Sequence, residues 1–286
     1  MIQTKKILSI FLLTVMILAA LTGCSGENTQ SFQEMKDFEQ AKIGILTGSS
    51  FDLLAKEYFP EADKLYYINI SDLILNLKQG KIDGILMDKG FFTPLGWEEG
   101  ALSYIEMDMP STEYAVAFPK NSDSETLMSQ INEFIRAEKQ SGALAELEAK
   151  WFSDVEPDVS IDLTQLTGEN GTLRIATTVE SKPFDYLKDG QFCGFDAEFI
   201  FLFAKEYGYA LEIDTMDFGA LLPSLATKGY DLAISSITVT EERKESVLFS
   251  EPYYTSPIVM AVLDNNSNNS KKDLSDFDNA KIGVLT

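Results

Sequence analysis

The residues best suited to chemistry lie between Asp231 and Tyr254, in DLAISSITVTEERKESVLFSEPYY. A short apolar strand, Leu232 to Ile234, is followed by hydroxyls at Ser235, Ser236, Thr238 and Thr240 and by a guanidinium at Arg243. Arginine presents a planar, permanently charged fork that grips both oxygens of a carboxylate. Hydroxyls donate or accept to fill the remaining bonds. Crevices of open α/β sheets lie at the carboxyl ends of strands, so this placement suits a small anionic ligand. The same residues also read as a plain helix start, with Thr240 as N-cap, Glu241 and Glu242 in the first turn and Arg243 as a surface charge. A second candidate is Gly48-Ser49-Ser50, between the strand KIGIL and a helical pattern from Phe51 to Glu57. Strand, glycine turn and helix start leave backbone N–H groups where an anion can sit, while Ser50 alone also reads as a helix cap.

Composition narrows the function classes. The chain has 286 residues, enough for one large domain or two smaller ones, and a net charge of -22. That charge argues against nucleic acid, because there is no basic surface to replace phosphate counterions, and against a surface that hugs anionic lipid. There is no histidine, which excludes Ser-His-Asp and Cys-His catalysis and any histidine metal site. No metal and no cofactor is expected. Of the two cysteines, Cys193 sits in QFCGFD and reads as a small buried hydrophobe.

Around the candidate residues the pattern is that of an α/β protein. A strand from Lys64 to Ile68, a helix from Ser71 to Gln79 and a strand from Gly84 to Met87, ending at Asp88, follow the first glycine turn. Tyr114 to Lys120 alternates like a half-buried strand. Ser124 to Phe152 reads as two helices broken near Ser141-Gly142, and residues 153–170 as a linker. A strand from Leu173 to Thr177, a helix from Phe195 to Tyr207 closed by Gly208, a stretch from Asp217 to Pro223 leading into a helix that runs to about Lys228, and a strand from Ile258 to Leu263 complete the reading.

The order of the hydroxyls, Arg243 and the following Phe249-Ser250-Glu251-Pro252-Tyr253 resembles the pattern D-x-x-x-S-S-x-S/T-x-T-x-x-R, then F-S-x-P-Y, of the bacterial extracellular solute-binding proteins, family 3. These are the amino-acid receptors of ABC importers. Pro183-Phe184, Gly190 and Gly194-Phe195-Asp196 resemble the opening of that family's first lobe. Gly48-Ser49-Ser50, Gly80-Lys81-Ile82-Asp83 through Asp88, and Lys150-Trp151-Phe152 resemble its second lobe and closing helices. The resemblance implies a type II periplasmic-binding-protein fold, a Venus flytrap of two α/β lobes. It implies that Arg243, with Ser235, Ser236 and Thr238, holds a ligand carboxylate and that Gly48, Ser49 and Ser50 close from the other lobe. Asp88 would take the ammonium. Phe218 matches the aromatic on which ligands stack, with a core phenylalanine as the other reading. The implied partners are an amino-acid ligand and an ABC permease, with no nucleic acid and no catalysis. A sensing module of a signalling receptor is the alternative, and the resembled fold also includes a dehydratase and peptidoglycan-lytic proteins. One stretch departs from the pattern: Glu180, Ser181 and Lys182 stand where many members carry an aromatic or an aspartate facing the ligand.

The chain begins with Lys5 and Lys6, an apolar run from Ile7 to Leu21, and Leu21-Thr22-Gly23-Cys24. The run is short for a spanning helix and fits a signal peptide, residues 1–23. Its end resembles a lipobox, which implies acylation of Cys24 and an extracytoplasmic, membrane-anchored protein with residues 24–36 as a tether. Asp37 to Thr47 recurs as Asp276 to Thr286, identical at eight of eleven positions. A repeat at this distance signals a tandem array, with residues 276–286 opening a second copy and the chain an N-terminal fragment of something longer. The lobes then come in permuted order: a second-lobe-like unit with closing helices at 37–152, and a first-lobe unit at 171–275.

Overall fold

A computed structural model describes residues 32–92, 102–153, 155, 157, 161–227 and 229–264. The expected signal peptide, Cys24 and the repeat at 276–286 lie outside the described residues.

The tether gives way to structure earlier than expected. Met35–Phe38 form a 3-10 turn, because the Asp37 carboxylate accepts from Gln33 N at 2.8 Å and Glu34 N at 3.0 Å. Phe38 is fully buried and meets Phe59 edge-on. The chain then lays down β1 (Lys42–Leu46), α1 (Phe51–Tyr58), β2 (Asp63–Tyr67), α2 (Ile70–Lys78), β3 (Gly84–Asp88) and β4 (Leu102–Glu106). It crosses through β5 (Thr112–Tyr114) into β6 (Ala117–Pro119), and α3 (Ser122–Ser141) and α4 (Ala143–Trp151) follow. After the linker come β7 (Thr172–Thr177), β8 (Glu180–Ser181), β9 (Asp185–Lys188), β10 (Gln191–Cys193), α5 (Phe195–Glu206), β11 (Ala210–Thr215), α6 (Leu221–Thr227), β12 (Leu232–Ala233), α7 (Glu241–Ser246) and β13 (Val247–Phe249). The return crossing is β14 (Tyr254–Ser256), which leads into β15 (Ile258–Leu263).

Two five-stranded sheets result, in the orders β2-β1-β3-β15-β4 and β11-β7-β12-β6-β13. Each is parallel in its first three strands and takes its fourth from the chain segment that builds the other lobe. This is the two-lobed flytrap that the resemblance implied. Strands β3 and β15 are apolar and buried almost throughout, as central strands covered on both faces must be. In β1 a Cβ on Gly44 would stand 2.6 Å from Ile82 Cδ1 and 2.7 Å from Leu73 Cδ2, so glycine lets α2 approach the sheet.

The alternating stretch Tyr114 to Lys120 is not one strand. It divides because β5 pairs with β14 in a two-stranded ribbon while β6 enters the second sheet. That ribbon joins the lobes. Rings from both lobes pack around it, with Phe152 stacked on Tyr254 at 5.0 Å and Phe91 against Phe184 at 4.9 Å. The closing helices lie on α5: Phe134 meets Phe199 and Phe203, and Glu198 accepts from Lys150 Nζ at 2.7 Å and Trp151 Nε1 at 2.6 Å.

Candidate functional site

Arg243 sits in the first turn of α7, and the plain helix reading holds for its backbone: Thr240 caps the helix, its hydroxyl accepting from Arg243 N at 3.1 Å. The side chain does something else. Its guanidinium folds back into the cleft, where Nη1 donates to Thr238 O at 2.6 Å on its own lobe and Nη2 to Gly48 O at 2.9 Å on the other. It also lies 5.8 Å from the centre of the Phe218 ring. The surrounding cavity of about 700 Å³ is lined by Gly48, Ser49, Ser50, Phe218, Gly219 and Arg243, among others. No carboxylate forms an ion pair with Arg243 among the described residues. Burial pushes its pKa down to about 10, against a weaker pull upward from Glu242.

The glycine turn contributes in a different way than expected. Ser49 N is not available to an anion, because it closes the turn by donating to Leu46 O at 3.0 Å. Instead the hydroxyls of Ser49 and Ser50 are buried in this cavity wall without a hydrogen-bond partner among the described residues. Ser50 precedes α1, yet its side chain caps nothing. Gly48 has a φ of +81°, and a Cβ there would stand 2.7 Å from Gly219 Cα. The lobes therefore touch through two glycines, and Gly219 is a contact the sequence reading missed.

Phe218 is shared with a second, smaller cavity of about 210 Å³, whose lining includes Ile68, Asn69, Thr178, Glu180, Ser181 and Asp217. Glu180 and Ser181, noted in the sequence as a departure from the family pattern, thus line the cleft. Lys182 does not line it; its ammonium lies over the Tyr186 ring at 4.8 Å.

The remaining candidates are not gathered around the guanidinium. Thr238 supplies its carbonyl rather than its hydroxyl. Ser235 is fully buried, bonded to Thr178 Oγ1 at 2.9 Å. Ser236 takes a left-handed φ of 45° and donates its N–H to Asp196 Oδ2 at 2.6 Å. Asp88 is 2% exposed and does not line the Arg243 cavity. It ends β3 beside the hinge ribbon, where Thr112 and Tyr114 donate to its two oxygens. Burial pushes its carboxyl up to about 7, and the two hydroxyls pull the other way.

Sequence reasoning also missed a pair of fully buried carboxyls, Asp185 and Asp196, directly beneath Ser235 and Ser236. Asp196 stood in the sequence only as a letter of Gly194-Phe195-Asp196. Nothing in the spacing announced Asp185.

Residues 173–284 match the family model of bacterial extracellular solute-binding proteins, family 3. Over these residues, about two fifths of the chain, the sequence is similar to this family. Its curated relatives include the arginine-binding extracellular protein ArtP of Bacillus subtilis (strain 168), 38% identical over 102 residues, which are 36% of this chain and 40% of that protein. A probable histidine-binding protein of Campylobacter jejuni is 34% identical over 113 residues, 40% of this chain and 43% of its own length. A cyclohexadienyl dehydratase of Pseudomonas aeruginosa is 35% identical over 86 residues, 30% of this chain and 32% of the enzyme. The chain spans about two fifths of the first two relatives. The family 3 match covers β7 to β15, the segment that carries Ser235 to Arg243, and runs on to residue 284. Most of the relatives are named as binding proteins, and no helix among the described residues is long and apolar enough to cross a membrane.

Proposed function

We propose that this protein is an extracytoplasmic receptor, held on a membrane by a lipidated Cys24, that captures an amino acid or similar small polar solute for an ABC importer. One observation carries the reading: a half-buried guanidinium, without an ionic partner among the described residues, spans the cleft between two lobes. Neutral carbonyls occupy its donors at present, and hydrogen bonds to an ionised acceptor are roughly twice as strong. A ligand carboxylate therefore displaces Gly48 O and Thr238 O with a net gain. The orphaned hydroxyls of Ser49 and Ser50 complete its shell from the other lobe, and Phe218 supplies a flat apolar wall. The match to the family 3 model over residues 173–284 and the amino-acid names of the relatives support the ligand class. Asp88 has no place in this shell, because its oxygens are committed to Thr112 and Tyr114; we assign it to the hinge.

The test is calorimetry of the complete protein with a panel of L-amino acids, arginine, histidine and glutamine among them. Removing one partner of a buried charged pair costs about 2–5 kcal/mol, so Arg243→Ala should weaken binding by roughly 30-fold or more. Arg243→Lys should also weaken it, because the fork is lost. An Arg243→Ala protein that binds like the parent returns Arg243 to the surface-charge reading.

A further inference from the structure

Two fully buried carboxyls lie side by side beneath the site, and their surroundings are specific. Asp185, on β9, and Asp196, in the first turn of α5, are both fully buried and within hydrogen-bonding reach of one another. Both oxygens of Asp196 have donors: Ser236 N to Oδ2 at 2.6 Å and the Tyr253 hydroxyl to Oδ1 at 2.9 Å. Asp185 Oδ1 accepts from Thr178, whose hydroxyl also bonds the Ser235 hydroxyl at 2.9 Å. Among the described residues Asp185 Oδ2 has no donor.

We infer that Asp185 and Asp196 share one proton, with Asp185 as the acid and Asp196 as the carboxylate, and that the pair positions the Ser235–Ser236 turn. Two like charges in a dry pocket repel and lose their hydration, so both do not ionise together. A proton on Asp185 Oδ2, donated to Asp196, gives the orphaned oxygen its partner and leaves one charge, which Ser236 N–H and Tyr253 solvate. Burial, followed by the neighbouring Asp196 charge, holds Asp185 well above the usual carboxylate range. Burial also raises Asp196, against the pull of Ser236 N–H and Tyr253. Among the described residues, the other ionisable groups nearby offer no compensating cation. Tyr253 and Tyr254 face the pair from the return crossing, Asp88 acts on Tyr254 from β3, and Glu198 on α5 is turned to Lys150 and Trp151. The shared charge fixes Ser236 in its left-handed conformation, a state that a residue with a side chain adopts when its surroundings impose it.

The consequence for ligand capture rests on the proposed function, since it treats the Ser235–Ser236 turn as a wall of the site. The proton itself is tested without ligand. Carboxyl 13C resonances of aspartate-labelled full chain, titrated from pH 5 to 9, should show one of the two carboxyls in its acid form at pH 7. The Ser236 amide should move in the same transition. Asp185→Asn, whose amide also donates to Asp196, should keep the neutral-pH Ser236 amide position and abolish its titration. Asp185→Leu fills similar space but cannot donate, and should displace that resonance. Both carboxyls in carboxylate form at pH 7 in the parent, a measurement that needs no variant to fold, would overturn the inference. So would Leu and Asn variants with the same Ser236 position and titration. If L-arginine binds the parent and Asp185→Asn alike at pH 7 but loses affinity at pH 9 only in the parent, the pair acts on the site. A titrating pair with no amino acid bound at any pH leaves the shared proton standing and removes the receptor reading.

Discussion

Replacing Asp88 by asparagine should change the pH dependence of folding in a defined direction. The Asp88 carboxyl titrates near 3.8 when unfolded and at about 7 when folded, because burial outweighs the hydrogen bonds from Thr112 and Tyr114. The folded pKa is raised, so the folded state holds the proton more tightly. Stability is greatest below the unfolded pKa and is lost as pH climbs through the folded one. At 1.36 kcal/mol per pKa unit, the loss approaches roughly 4 kcal/mol once pH passes 7. Asparagine keeps the shape, accepts from one hydroxyl, donates to the other and never ionises. Urea unfolding of parent and Asp88→Asn at half-unit steps from pH 4 to 8 supplies the comparison. The variant should match or slightly trail the parent at pH 4 and overtake it progressively toward pH 8. Asp185 and Asp196 are present in both proteins, so their own pH dependence cancels in the difference. A stability difference that stays constant across that range would refute the reasoning, and would mean that Asp88 reaches solvent in the folded protein.

The other predictions concern single contacts. A Cβ on Gly219 would stand 3.2 Å from Thr47 O across the cleft, so the branched side chain of Gly219→Val should wedge the lobes apart; small-angle scattering should show a larger radius of gyration with unchanged circular dichroism, and an unchanged radius counts against the contact. Glu198→Ala should cost about 1–3 kcal/mol in denaturant unfolding, because the buried indole N–H of Trp151 loses its acceptor, while Glu198→Gln should cost less; equal losses from the two would show that charge, not the hydrogen bond, matters there. Cys24→Ala should release or misprocess the precursor in cell fractionation, and unaltered membrane retention would remove the lipid anchor from the proposal.

Much of this architecture was legible in the residues, and the omissions share a cause. Apolar runs marked β1, β3, β7 and β15 because these strands are buried by their own composition. The break between α3 and α4 was visible because Gly142 takes a left-handed φ of 89°. Tyr114 to Lys120 misled because alternation reports burial but not which sheet a strand joins: Ala115 N turns to Ile237 O, and the strand ends there. Arg243 was found by residue type, yet its acceptors, Gly48 O and Thr238 O, are backbone atoms that no motif spells. Asp88 matched a pattern letter while its surroundings, Thr112 and Tyr114, removed it from the cavity. Asp185 had no local signal, since only the fold sets it against Asp196.

The exchange of strands between the lobes has a consequence for how the chain acquires its shape during synthesis. The N-terminal lobe's sheet has a gap between β3 and β4 until β15 fills it, and β4 pairs with nothing else in that sheet. Gly90 N bonds Ser256 Oγ, 166 positions further along the chain. A nascent chain that has emerged only as far as β6 therefore exposes two unpaired strand edges and cannot close its first lobe. Contacts of such sequence separation form late and slowly. The two lobes should accordingly appear together, in one cooperative step, once β15 is available, and under the export proposed above the chain would stay loose enough to be threaded across a membrane for most of its length.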